Sequence, residues 1–256
     1  MTMIEDPELK NKVAICTGAS SGIGRRMART LAFGGASVFL VGRQKEKLET
    51  LVSEINEKSV GKGIAFPTDL TSEGTFSDLY SQCCDILGAP NILINAAGVN
   101  FREPWDTITQ DSWNTTLKIN LSVPFFLARE CVPEMKKNGW GRVINIASLQ
   151  SFRAFPNSIA YGASKGGIAQ VTRAMAESWS ANGIMVNAIV PGFFSTPMTA
   201  PVFNDPKISQ HNAKMTAVGR NGKMSDLDGI TIFLASKASD YITGQIINVD
   251  GGYSAK

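Results

Sequence analysis

The sequence predicts a doubly wound α/β domain: a mainly parallel, seven-stranded sheet with helices on both faces. Three observations carry that expectation. Short β-branched runs alternate with helix-length amphipathic stretches from one end of the 256 residues to the other. The runs are apolar on both faces, as strands covered on both sides require. A glycine-rich turn, Thr17-Gly18-Ala19-Ser20-Ser21-Gly22-Ile23-Gly24, joins the first run to the first helical stretch, where such folds meet a phosphate group.

In order, the first strand is expected over 13–17, followed by a helix at about 22–34. Strands at 37–41 and 63–66 precede helices at about 44–58 and 72–87. The fourth strand, 92–95, leads into one long helix at about 111–137, and the fifth, 142–147, into another at about 159–181. The sixth strand, 185–190, is separated from a helix at about 225–236 by 192–224, a connection of the length usual for a binding loop or lid. The last strand is 246–249. No repeat or low-complexity linker divides the chain, so residues 1–256 read as one domain.

Composition narrows the chemistry. One histidine, His211, cannot supply a multi-histidine metal site, and Cys16, Cys83, Cys84 and Cys131 lack the paired spacing of a zinc site. No metal is expected. The adjacent Cys83 and Cys84 read as packing residues in a helix rather than a redox pair. A net charge of +3 without a basic block argues against a nucleic-acid partner. The longest uncharged stretch, 178–204, is broken by Asn182, Asn187, Pro191, Pro197 and Pro201, so no membrane helix is expected. Glu5, Asp6 and Glu8 make residues 1–12 unlike a signal or transit peptide. With reduced thiols, a cytoplasmic location is expected.

The glycine turn suits a dinucleotide pyrophosphate. Gly18, Gly22 and Gly24 let the backbone approach, and the helix amides meet the charge. The end of the second strand selects the dinucleotide. An acidic side chain there would hold the 2′-hydroxyl of NAD, but the chain has Gly42 and then Arg43. A guanidinium suits a 2′-phosphate, so NADP(H) is favoured over NAD(H). The alternative is that Arg43 is a solvated residue opening the second helix.

In Tyr161-Gly162-Ala163-Ser164-Lys165 the tyrosine and lysine fall on one helix face. A phenol of pKa about 10 is a poor proton carrier at neutral pH, but an ammonium about 4 Å away is worth roughly 4 kcal/mol, about three pKa units. That would bring the phenol near 7, fit to give or take a proton as a carbonyl and an alcohol interconvert. Ser148, expected at the end of the fifth strand, places a hydroxyl on the ligand-binding edge of the sheet.

These segments together resemble the short-chain dehydrogenase/reductase family over essentially the whole length. The matching residues are the glycine turn, Asp69, Asn95-Ala96-Ala97-Gly98, Asn120, Ser148, Tyr161 with Lys165, Pro191-Gly192 with Thr196, and the terminal stretch at 244–252. The resemblance implies a Rossmann-type fold, with Ser20, Ser21 and Ile23 joining the glycines in cofactor binding. It implies that Asp69, with Leu70, contacts the adenine and that Asn95, Ala96, Ala97 and Gly98 support the adenosine side. Pro191, Gly192 and Thr196 would hold the nicotinamide carboxamide. Lys165 would also bind the nicotinamide ribose, and Asn120 would hold a water in a relay to Lys165. A homotetramer is implied as well, paired through the helices from Asp111 and from Ile159.

Within the family, Asn100-Phe101-Arg102, Ser148-Leu149-Gln150-Ser151, Met198-Thr199-Ala200-Pro201, Asp205-Pro206 and Ser236-Lys237-Ala238-Ser239-Asp240 resemble the gluconate 5-dehydrogenase subgroup. Phe152-Arg153-Ala154-Phe155-Pro156 departs from it, being bulkier and more apolar than a polyol pocket would be expected to be. Arg102 is the candidate anchor for a substrate carboxylate, with an exposed loop arginine as its alternative. Arg153 is a second candidate, and Gln150 either donates to a substrate hydroxyl or satisfies loop backbone. Phe193, Phe194, Met198, Phe203 and Met215 give the lid an apolar stripe, whereas His211 reads as a surface or packing residue.

The expected activity is hydride transfer between NADP(H) and a small-molecule carbonyl or secondary alcohol, with a sugar acid as the favoured substrate. A 3-oxoacyl thioester reductase or broad ketoreductase is the alternative. A non-catalytic NADP-binding sensor is an alternative of another class, disfavoured because Ser148, Tyr161 and Lys165 are all present.

Overall fold

The computed structural model describes residues 9–256; Glu5, Asp6 and Glu8 lie outside them. The strands are β1 (Val13–Thr17), β2 (Ser37–Gly42), β3 (Gly63–Pro67), β4 (Ile92–Asn95), β5 (Gly141–Ile146), β6 (Ile184–Pro191) and β7 (Ile246–Val249). They form one sheet in the order β3-β2-β1-β4-β5-β6-β7, and every pairing is parallel.

The helices are α1 (Gly22–Phe33), α2 (Lys45–Lys58), α3 (Thr75–Leu87), α4 (Gln110–Leu117), α5 (Val123–Lys137), α6 (Ile159–Trp179), α7 (Ala200–Phe203), α8 (Pro206–Met215) and α9 (Asp228–Ala235). One face of the sheet packs Met27 and Leu31 of α1, Leu48, Leu51 and Ile55 of α2 and Leu234 of α9. The other packs Leu79 of α3, Leu127 and Val132 of α5 and Met175 of α6. Both faces are therefore covered, which is why the strands carry apolar residues without alternation. Cys16, Cys83 and Cys131 are buried within these layers. Burial pushes the Cys83 thiol up to about 12.

Chain direction reverses across the sheet between β1 and β4, where Thr17 lies in register with Asn95. Loops leaving those two strands diverge and open a crevice at their carboxyl ends. Thr17 holds its mouth, since its hydroxyl accepts from the Ala96 and Ala97 amides at 3.1 Å each.

One expectation is corrected. The single helix at 111–137 is α4 and α5 joined by a π turn, Lys118–Ser122, with Asn120 buried inside it and Pro124 in the first turn of α5. The long connection 192–224 carries two helices of its own, α7 and α8. Asp205 caps α8, its carboxylate accepting from the amides of Lys207 at 2.8 Å and Ile208 at 3.2 Å; such a cap before Pro206 starts a helix sharply.

Candidate active site

A cavity of about 700 Å³ lies along the carboxyl ends of the strands. It is lined at one end by Gly18, Ser20, Ser21, Gly22, Ile23, Gly24, Arg43, Asp69 and Leu70. Ala96, Ala97 and Gly98 form its middle, and Ser148, Tyr161, Lys165, Pro191, Gly192 and Thr196 the far part, with Arg102 and Gln150. Asn95, Asn120 and Arg153 do not line it.

The nucleotide end is made of backbone. Gly18 has φ +67°, and a Cβ on it would stand 2.6 Å from the Ala96 carbonyl oxygen; one on Gly24 would stand 2.5 Å from the carbonyl oxygen of Gly18. Only glycine permits this closeness between β1, α1 and the loop after β4. The first turn of α1 holds no acidic residue, and its N-cap, Ser21, makes no side-chain capping bond. The leading amides are thus left to an anion from outside the helix. This cradle of amides, with glycine at 18, 22 and 24, fits a dinucleotide pyrophosphate.

At the outer edge of that end, Asp69 accepts from the Thr71 amide and hydroxyl, both at 2.8 Å. Those bonds, helped by the charges of Arg43 and Lys118, hold its carboxyl below the usual carboxylate range. Asp69 is therefore a fixed acceptor suited to an exocyclic amine. Arg43, directly after Gly42, is exposed and lines the cavity beside it.

At the chemical end, β5 stops at Ile146, and Ser148 caps a short 3₁₀ turn, Leu149–Ser151, two residues beyond the strand. Its hydroxyl accepts from the Gln150 amide at 3.2 Å and lies close enough to the Tyr161 phenol to pull its pKa down. Ser151 ties this turn to α6: its hydroxyl donates to the Lys165 carbonyl at 2.6 Å and accepts from the Ser148 amide at 3.3 Å. Lys165 is 4% exposed, and its Nζ donates to the Ile146 carbonyl at 2.6 Å.

The electrostatics correct the expected phenol near neutrality. Lys165 Nζ stands 5.6 Å from the Tyr161 ring centroid and is engaged with Ile146. Burial raises the phenol above its ordinary 10.0, while the Ser148 hydrogen bond and the Arg102 charge pull it partly back. Burial also lowers Lys165, to about 8. Between these two groups, it is the lysine that lies near neutrality.

Three expected site residues stand outside the cavity for identifiable reasons. Asn95 points into the layer under α5 and α6, donating to Asn145 Oδ1 at 2.9 Å and to the Pro124 carbonyl at 3.3 Å. Asn145 continues to the Thr172 hydroxyl at 2.9 Å, so Asn95 belongs to a buried brace across β4, β5 and α6. The Asn120 carboxamide accepts from the Val99 amide at 2.9 Å and donates to the Val99 carbonyl at 2.9 Å and the Ser164 hydroxyl at 3.0 Å. With its side chain committed, any role in a relay falls to its main chain in the widened π turn. Arg153 is exposed and lies over the Phe155 and Tyr253 rings, at 5.9 and 5.3 Å.

Other side chains are placed more finely than the sequence allowed. The Thr196 hydroxyl is paired with Thr199 at 2.9 Å in the turn Pro197–Thr199. Its Cβ lies 3.2 Å from where a side chain on Gly22 would begin, which sets this segment directly over the start of α1. Arg102 has φ +57° and donates its amide to Asn100 at 3.2 Å; a left-handed arginine is a strained placement of the kind found at binding sites. His211 is exposed, as expected of a surface residue. Of the lid's apolar stripe, Phe193, Phe194 and Met198 line the cavity, whereas Phe203 and Met215 do not.

Sequence reasoning missed Asn212, which lines the cavity from α8 at 7% exposure. A signal for it exists. Ile208, Asn212 and Met215 are spaced four and three apart, one face of a helix, so a lone carboxamide interrupts an apolar stripe.

An open, doubly wound sheet with a dinucleotide cradle at its switch point and a Ser-Tyr-Lys group in the same cavity defines a short-chain oxidoreductase, and the comparisons agree. A short-chain dehydrogenase family model described as "Enoyl-(Acyl carrier protein) reductase" matches residues 18–254. A 2-dehydro-3-deoxy-D-gluconate 5-dehydrogenase of Bacillus subtilis is 36% identical over 97% of this chain and 96% of its own. The gluconate 5-dehydrogenase of Gluconobacter oxydans is 34% identical over 93% of each. A gluconate 5-dehydrogenase from Burkholderia cenocepacia, solved with NADP and tartrate, superposes with a TM-score of 0.90 at 33% identity over 97% of this chain and 98% of that one. The chain belongs to the short-chain dehydrogenase/reductase family. It is an oxidoreductase whose relatives are named as dehydrogenases and reductases acting on CH–OH groups.

Proposed function

We propose that the protein is an NADP(H)-dependent oxidoreductase that interconverts a ketone and a secondary alcohol on a hydroxylated carboxylic acid of the gluconate kind. The observation that carries this reading is Arg102. It lines the cavity that holds Ser148, Tyr161 and Lys165, and its charge acts on the Tyr161 phenol. An exposed cation at the reacting end, with no acidic partner among the described residues, favours a substrate that brings its own anion. The names of the relatives from Bacillus and Gluconobacter, and the tartrate in the Burkholderia structure, support the same substrate class.

The amides of Gly22, Ile23 and Gly24 would take the pyrophosphate, Asp69 the adenine amine and Arg43 a 2′-phosphate. Bound there, the nicotinamide supplies hydride in reduction and accepts it in oxidation. In reduction Tyr161 gives its phenolic proton to the carbonyl oxygen, and Ser148 donates a hydrogen bond to the same oxygen as charge develops on it. Lys165, buried and near neutrality, favours the phenolate left behind and returns the proton. Oxidation reverses each step. The segment 192–224 is the lid.

A second reading rests on the other wall. Phe155, Pro156, Phe193, Met198 and Val202 line the cavity with apolar surface, which would suit a 3-oxoacyl thioester. Rates with NADPH and NADH against 5-ketogluconate and an acetoacetyl thioester separate the readings. NADPH-dependent turnover of the sugar acid, at least about tenfold more efficient than that of the thioester, is expected; the reverse order would favour the second reading.

The protein is further proposed to be cytoplasmic and homotetrameric. Phe125 and Phe126 on α5 are each 36% exposed and would be covered by a second copy. Light scattering checks the assembly. No helix among the described residues is long and apolar enough to cross a membrane.

A further inference from the structure

Asn212 is a buried polar side chain with no evident partner. It lies on α8, is 7% exposed, and lines the cavity among apolar neighbours that include Ile208 and Val202. Its carboxamide forms no hydrogen bond with any described residue, whereas the Thr199 hydroxyl donates to the Phe194 carbonyl, the Thr216 hydroxyl to the Ala213 carbonyl and the Asn221 Nδ2 to the Ser209 carbonyl. A carboxamide offers two donors and an acceptor. With no protein partner, these groups are left facing the cavity, free to bond a polar group that enters it.

The helix that carries it is held at several points, the Lys256 Nζ reaching its Lys214 carbonyl at 3.3 Å. Asp205 caps the first turn, and the Asn221 carboxamide reaches back to the Ser209 carbonyl at 3.0 Å and hydroxyl at 3.1 Å. Asn212 therefore occupies a set position over the cavity instead of searching for a partner.

We propose that Asn212 is a specificity residue: its carboxamide exchanges hydrogen bonds with hydroxyls on the carbon chain of the substrate. The proposal rests on the reading of the substrate as a hydroxylated keto acid, and it names the group that tells such a chain from an acyl chain. An acyl substrate would leave the carboxamide unpaired beneath it. A polyol chain satisfies it. Arg102, on the loop after β4, takes the carboxylate, and Asn212, on α8, takes hydroxyls, so two elements on different sides of the crevice divide the recognition.

The test uses two keto acids with the same spacing from carboxylate to ketone: 5-ketogluconate, which carries hydroxyls, and 5-oxohexanoate, which carries none. In the unaltered enzyme kcat/KM is expected to favour 5-ketogluconate. Asn212→Leu is expected to lower kcat/KM for 5-ketogluconate by about tenfold or more and to leave that for 5-oxohexanoate unchanged or raised. NADPH affinity and the thermal midpoint report whether the variant is folded; if it is not, Asn212→Ala, which adds no bulk, is read in the same way. An unaltered enzyme that prefers 5-ketogluconate, with variants that keep the full preference, overturns the role of Asn212 alone. An unaltered enzyme that shows no preference for 5-ketogluconate overturns the sugar-acid reading and the proposal with it.

Discussion

The two ends of the cavity are built from different materials. At the nucleotide end the decisive contacts are between main chains: Gly18 against Ala96, Gly24 against Gly18, and the unoccupied amides at the head of α1. At the substrate end they are side chains, Arg102, Gln150, Phe155, Met198 and Asn212, delivered by the loop after β4, the connection between β5 and α6, and the lid. A backbone cradle recognises what is common to dinucleotides and tolerates few substitutions. A wall of side chains can change its specificity one residue at a time without disturbing the cradle.

The sharpest separation of the two ends comes from one oxygen atom. Tyr161→Phe is expected to lower kcat by about a thousandfold while changing the NADPH dissociation constant by no more than about twofold. Stopped-flow rates and fluorescence titration read the two quantities independently. A comparable loss of cofactor affinity would mean that the chemical group and the cradle are not separable.

Lys165 tests the border between the ends through stability. Its ammonium is buried and its pKa falls from 10.5 to about 8. Between those values the unfolded chain holds the extra proton, so unfolding free energy rises with pH across that window, and below about 8 the full penalty applies. Lys165→Met removes the penalty. At pH 7 the cofactor-free variant is expected to be more stable by up to about 3 kcal/mol, with the advantage shrinking from pH 8 to 10.5. Thermal melts over that range check the sign; a variant less stable at every pH would contradict it. Turnover should be lost in the same protein, as expected where activity is maintained at a cost in stability.

The same contrast explains what the sequence disclosed. Strand periodicity and the glycine turn are local signals, so β1 to β7 and the cradle were legible, with strand ends displaced by a residue or so. The π turn at Lys118–Ser122 was not, because one extra residue in a helical turn barely disturbs the apolar pattern that marks 111–137 as helix. Direction of a side chain was harder still. Asn95 sits beside the cavity in sequence but points into the sheet's other face, where Asn145 receives it. The phenol's expected shift failed for a related reason: spacing placed Lys165 on the right face, but only the fold shows its Nζ turned to the Ile146 carbonyl. Asn212 went unread because its significance depends on what surrounds α8.

Arg43 is the nucleotide end's one proposed side-chain discriminator, and it is exposed. Arg43→Ala is expected to weaken NADPH binding by about tenfold, a value set by its solvation, and NADH binding by less than about twofold. The difference should narrow as ionic strength rises. Equal losses for the two dinucleotides would return Arg43 to the role of a solvated residue before α2.

The smallest effect is expected at the outer rim. Arg153 was a candidate for the substrate carboxylate, but its guanidinium lies over Phe155 and Tyr253 and does not line the cavity. An exposed cation over such a ring contributes about 0.5–1 kcal/mol. Arg153→Ala should therefore lower the thermal midpoint slightly and leave kcat/KM for a keto acid within about twofold. Arg102→Ala, on the cavity wall, should raise KM for the same acid by about tenfold or more. Measured side by side, the two arginines show how far substrate recognition extends. If Arg153→Ala matched the loss at Arg102, the rim would be part of the substrate site, and the loop between β5 and α6 would have to move to bring Arg153 over the carboxylate.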